Sequence, residues 1–158
     1  MRKNLLIVSL AACCAIVLSS SVALAGENWL GTWKMNTAKS KYSPGPAPKS
    51  LTLTWEATAD GIKHASEGVN GEGEPMHSGY VTKYDGADVP YTGNPDADMA
   101  SAKKIDDSTL EVTVKKMGKV LGVTKVVVSK DGKTITATST GKDSKGATVM
   151  DTIIDEKQ

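Results

Sequence analysis

The chain has 158 residues, 19 basic and 18 acidic side chains, a formal charge of +1 and no phenylalanine. Arg2 is the only arginine, so the chain lacks the basic, arginine-rich surface that grips nucleic-acid phosphates. The length suits a single domain able to bury a core without covalent staples.

Residues 1–25 differ from all that follows. Arg2 and Lys3 give a positive start, Leu5–Leu18 is almost wholly apolar, and Ala23-Leu24-Ala25 places small residues where a signal peptidase reads. This is the pattern of a cleaved secretory signal peptide, and its apolar run is too short to span a membrane as a helix. Cleavage after Ala25 leaves 26–158 as a single β-barrel domain in the periplasm or outside the cell. Loss of Arg2 and Lys3 takes the formal charge from +1 to −1. A rival lipoprotein site, Leu10-Ala11-Ala12-Cys13, has a short apolar run before it and a second one after it, which argues against anchoring at Cys13. Cys13 and Cys14 leave with the leader, so the mature domain has no disulfide.

Beyond the leader, period-2 alternation dominates and no long stretch follows a helical period. Strands are expected near 30–36, 50–59, 62–69, 76–84, 87–92, 99–105, 109–117, 120–129, 133–140 and 147–156. Leu51-Thr52-Leu53-Thr54-Trp55 and Leu110-Glu111-Val112-Thr113-Val114 alternate cleanly, whereas Gly122–Val128 is valine-rich enough for burial on both faces. Turn signals separate the strands at Asp60-Gly61, Asn70-Gly71, Asp85-Gly86, Gly118, Asp131-Gly132 and Gly141–Gly146. Two segments break this rhythm. The proline-rich connector 43–48 is extended, with one short helical turn before it in 36–42, and 92–98 is a polar loop. The expected fold is all-β, an antiparallel up-and-down meander of about 8–10 strands closed or nearly closed into a barrel.

Gly31-Thr32-Trp33 opens the first strand and resembles the Gly-x-Trp start of lipocalins and related calycin barrels. Trp33-Lys34-Met35-Asn36, Lys39–Pro46, Tyr84-Asp85-Gly86 and Gly93–Asp98 are similar to small secreted bacterial lipocalin-like proteins, a group of uncharacterised function, over 30–156. The resemblance implies a cup-shaped barrel for a small apolar ligand. Lipocalins commonly pack a late arginine over that tryptophan. With no arginine in the mature chain, a lysine must replace it or the closure differs.

Trp33, which shares a strand face with Trp29 and Met35, reads as the structural plug of the barrel, with a ligand-cavity wall as its alternative. Trp55 shares a face with Leu51 and Leu53, and Tyr80 lies on an uncharged face with Met76, Ser78, Thr82 and Tyr84. These two are the candidate cavity walls, with a filled core as the alternative. His64 falls inward with Ile62 and Ser66 and joins them as a candidate ligand contact, while His77 falls outward. Two histidines on opposite faces do not make a metal site. Asn94, Asp96 and Asp98 have the opening spacing of a calcium loop, but the sixth position is Met99 and the twelfth Ile105, so a capped polar turn is the simpler reading.

No catalytic pattern is expected. The mature chain has no cysteine nucleophile and no Gly-x-Ser-x-Gly elbow, and His77 and Ser78 point to opposite faces. No cofactor is expected. The sequence supports an exported non-catalytic binding protein holding a small hydrophobic ligand. The alternative is a ligand-free protein–protein or inhibitor module of the bacterial envelope, with loops 43–48 and 92–98 as its contact surfaces. Nucleic acid is not expected as a partner, and the sequence leaves the oligomeric state open.

Overall fold

The computed structural model describes residues 28–142 and 146–158. The expected leader and the alternative anchor at Cys13 lie outside the described residues, as do residues 143–145 of the turn expected from Gly141 to Gly146. Among the described residues no helix is long and apolar enough to cross a membrane.

Alternating apolar and polar side chains favour half-buried strands, and ten form: β1 (Gly31–Met35), β2 (Ser50–Thr58), β3 (Gly61–Val69), β4 (Pro75–Thr82), β5 (Asp85–Pro90), β6 (Met99–Lys104), β7 (Thr109–Lys116), β8 (Lys119–Val128), β9 (Thr134–Lys142) and β10 (Thr148–Lys157). They make one antiparallel sheet in the order β4-β3-β2-β1-β10-β9-β8-β7-β6-β5. This is an up-and-down meander in which β1 closes on β10, with Trp33 opposite Lys157 and Met35 opposite Asp155. The two sheet edges, β4 and β5, are neighbours in sequence. They meet through Gly79 and Thr92, whose amides each donate to the other's carbonyl at 3.0 Å. The sheet is thus a nearly closed barrel.

Hairpin chemistry sets the register. Met117 and Gly118 both take positive φ (48° and 76°), which a tight two-residue turn between β7 and β8 requires. Asp85-Gly86, expected to be the turn before the fifth strand, instead lies inside β5. The register slips by a bulge between Asp85 and Asp88. The chain reverses one step earlier, at Lys83-Tyr84, where Tyr84 itself adopts φ 59° and its amide donates to Thr82 Oγ1 at 3.1 Å. Burial of the Tyr84 ring in the core holds this uncommon conformation. The valine-rich β8 is not buried on both faces either. Val126 and Val128 are buried, but Val120 is exposed, since no second layer covers the outside of the barrel.

The 36–42 segment forms its single turn, with the Ser40 amide donating to Asn36 O at 3.1 Å. The connector then runs along the start of β10. Lys41 pairs with Thr152, and the Met150 amide donates to Ser43 O at 2.8 Å. β10 therefore has a neighbour on this side before β1 takes over.

The core is dense at one end of the barrel, where Trp29, Trp33, Ile62, Thr82 and Leu110 are fully buried and Tyr84 and Val128 pack beside them. Trp33 Nε1 donates to Trp29 O at 2.7 Å, so its single polar group is satisfied inside the core. The Lys157 ammonium stands 5.0 Å from the Trp33 ring centroid. A lysine thus stands over the tryptophan.

Candidate functional site

Beyond the packed end the barrel interior is hollow. A cavity of about 240 Å³ is lined by Leu51, Leu53, Trp55, His64, Ser66, Met76, Ser78, Tyr80 and Tyr91 on one side. Val112, Val114, Thr124, Val126, Ile135, Ala137, Ser139, Ile153 and Asp155 line the other, with Asn94 at the 92–98 loop. Alternation along each strand puts these side chains on the inner face, and antiparallel register aligns them across strands. Trp55 lies opposite His64, His64 opposite Tyr80, and Leu53 opposite Ser66, which lies opposite Ser78.

The structure brings Trp55, His64 and Tyr80 together as one aromatic wall of this cavity. The His64 ring meets Trp55 edge-on at 4.6 Å and stacks on Tyr80 at 4.8 Å, and Tyr80 meets Tyr91 edge-on at 5.5 Å. Trp33 does not line this cavity and is fully buried in the core cluster that also holds Trp55 and Tyr80. His77 is on the outer face, exposed.

The polar groups of the interior fall into two sets. Hydroxyls are paired with one another: Ser66 with Ser78 at 2.7 Å, Ser78 with Tyr91 at 3.0 Å and Thr124 with Ser139 at 2.9 Å. Trp55 Nε1, His64 Nδ1 and both Asp155 carboxylate oxygens are buried and make no hydrogen bond among the described residues. Such groups are rare, because burying a polar atom without a partner costs about 1–3 kcal/mol.

Burial pushes the His64 pKa down to about 4, so the ring is neutral at pH 7. Burial also raises the Asp155 carboxyl to about 6. The Tyr80 hydroxyl is pushed above its ordinary range by burial first and by the nearby Tyr91 second.

Asp155 is the site residue that the sequence reading passed over. It sits on β10 opposite Met35 and Ile135, fully buried, on the same inner face as Ile153. The alternation of Ile153 with Asp155 was the available signal.

The acidic loop after β5 works as a turn. Asn94 Oδ1 accepts the amides of Asp96 and Ala97 at 2.8 and 3.2 Å, and Asp98 Oδ2 accepts the Met117 amide at 2.9 Å. Among the described residues, no three His, Cys, Asp or Glu side chains converge as a metal site would require.

No protein-family model matches the chain, and neither does any curated protein. Among solved structures, the chain is similar in outline to zebrafish ileal bile acid-binding protein complexed with cholic acid. The match has 9% identity and a TM-score of 0.47, and covers 83% of this chain and 99% of the other.

Proposed function

We propose that this chain is an exported, non-catalytic binding protein that holds a small, largely hydrophobic molecule inside its barrel. The observation that carries this reading is the interior cavity of about 240 Å³, walled by Trp55, His64 and Tyr80 on one side and by aliphatic residues on the other. Ligand sites are typically concave, mostly apolar and furnished with a few polar groups. This cavity has that composition and lies just below the usual size range, so it suits a compact ligand. His64 stands between two aromatic rings rather than against a nucleophile, an arrangement suited to binding rather than to bond cleavage.

The test is native mass spectrometry of the full chain after export from a bacterial host, followed by titration with apolar probes while Trp fluorescence is read. A small-molecule adduct lost on denaturation, or saturable quenching of Trp55 that a Trp55→Phe variant removes, supports the reading. A bare protein mass together with no fluorescence response to any probe sinks it. A folded protein partner recovered through loops 43–48 and 92–98 would then be the better account.

A further inference from the structure

We infer that the cavity selects a ligand whose polar end donates hydrogen bonds and carries no negative charge, a protonated amine above all. The inference rests on the cavity being a binding site and names the class of molecule it takes.

Three observations carry it. First, Asp155 lines the cavity with none of its side chain exposed, and neither carboxylate oxygen has a hydrogen-bond donor. A buried carboxylate needs a cation or a set of donors to offset its desolvation. Second, no described residue supplies a cation there. No lysine lines the cavity. Lys157, two positions along β10, lies over Trp33, and Lys39 pairs with Glu156 at 2.9 Å. The titratable group that does interact with Asp155 is Tyr42, at the end of the 36–42 turn, and it adds no positive charge. Third, the remaining polar atoms suit a donor head. His64 Nδ1 is unpartnered and belongs to a neutral ring, so it accepts in the tautomer protonated at Nε2. The faces of Trp55, Tyr80 and Tyr91 attract a cation by their quadrupoles.

An anionic head meets the opposite situation. A fatty or bile-type carboxylate would enter a chamber holding one carboxylate and no fixed positive charge. Like charges in a low-dielectric cavity repel strongly. The unpartnered indole N–H of Trp55 carries no formal charge and cannot offset that repulsion. A cavity of about 240 Å³ admits a phenyl ring on a short chain.

The experiment uses one apolar body with three heads: phenylbutylamine, phenylbutanol and phenylbutyrate, titrated calorimetrically into the full chain at pH 8. The expected order is amine, then alcohol, then carboxylate, with the amine at least about tenfold tighter than the carboxylate. Asp155→Asn is expected to bring amine and alcohol to within a few-fold of each other. A measurement on the unaltered protein serves if that variant does not fold. At pH 5, below the Asp155 pKa of about 6, the preference for amine over alcohol shrinks. Carboxylate binding as tight as amine, or an amine preference untouched by both Asp155→Asn and pH 5, overturns the inference and leaves the cavity-binding reading standing. Failure of all three probes to bind a folded protein overturns both.

Discussion

At the end of the barrel held by Trp29 and Trp33, every large side chain finds a close neighbour and the one indole N–H of Trp33 finds a carbonyl. At the other end, Ser66, Ser78, Val114, Thr124 and Ser139 surround empty space, and polar atoms of Trp55, His64 and Asp155 face no partner. The same strands build both ends. β2 carries Leu51 and Leu53 at the cavity and Trp55 where it meets the packed core. β3 runs from Ile62 in the packed end to Ser66 in the hollow one. The difference is one of side-chain volume and satisfaction at alternate positions. Packed ends give stability, and unsatisfied hollow ends are where stability is surrendered for binding.

The sharpest way to break this contrast is to hollow out the packed end. Trp33→Ala should lose about 3–5 kcal/mol in urea unfolding, the usual range for a buried tryptophan. A loss below about 1 kcal/mol would show that Trp33 does not carry the end it occupies.

Next in size is the pH response of the hollow end. The Asp155 carboxyl titrates near 6 in the fold, against about 3.9 unfolded. Its contribution is therefore full below pH 3.9 and is lost as pH rises through 6. His64 titrates near 4 in the fold, against about 6.5 unfolded. Its contribution is full above pH 6.5 and is lost as pH falls through 4. Each amounts to about 3 kcal/mol at most, with opposite sign, so the native protein should show a nearly flat stability between pH 4 and 6.5. Asp155→Asn should raise the urea midpoint at pH 8 and unmask a steep loss toward acid. His64→Gln should leave a protein that gains stability as pH falls. A flat profile in either variant would show that its partner residue is not titrating as burial dictates.

Filling space provides a smaller, paired comparison. Ala102 is fully buried in the core, so Ala102→Leu should cost about 1–3 kcal/mol, as overpacking does. Val114→Phe, aimed into the cavity, should cost under about 1 kcal/mol and abolish probe binding in the same fluorescence titration. Equal costs at the two positions would mean that the interior is uniformly packed.

The smallest expected effect is at the cap. Lys157→Ala should lose about 0.5–1 kcal/mol with little dependence on salt, as expected of a cation held over a ring. Lys157→Arg should restore it in the same thermal unfolding assay.

The strands were legible because period-2 patterning acts locally. The expected segments 50–59 and 109–117 differ from β2 and β7 by one residue. The inward facing of Trp55, His64 and Tyr80 was legible for the same reason. Their direct alignment came from the turns after Thr58 and Val69, which fix cross-strand register. The reversal at Tyr84 was not legible. Asp85-Gly86 is the stronger local turn signal, and only burial of the Tyr84 ring shifts the turn forward. Nor was Asp155, whose burial depends on β1 closing against β10, a long-range pairing that no local pattern reports.

That closure has a consequence for the order of folding. β1 lies between β2, its successor in the chain, and β10, the last of the described strands. Until β10 arrives, Trp33 has no Lys157 above it, Asp155 is not in place, and the first strand is an open edge. Contacts this distant in sequence form slowly, because the loop they close is nearly the whole chain. A chain stalled anywhere before residue 148 therefore cannot complete the ring, and the barrel's cavity exists only once β10 has been made.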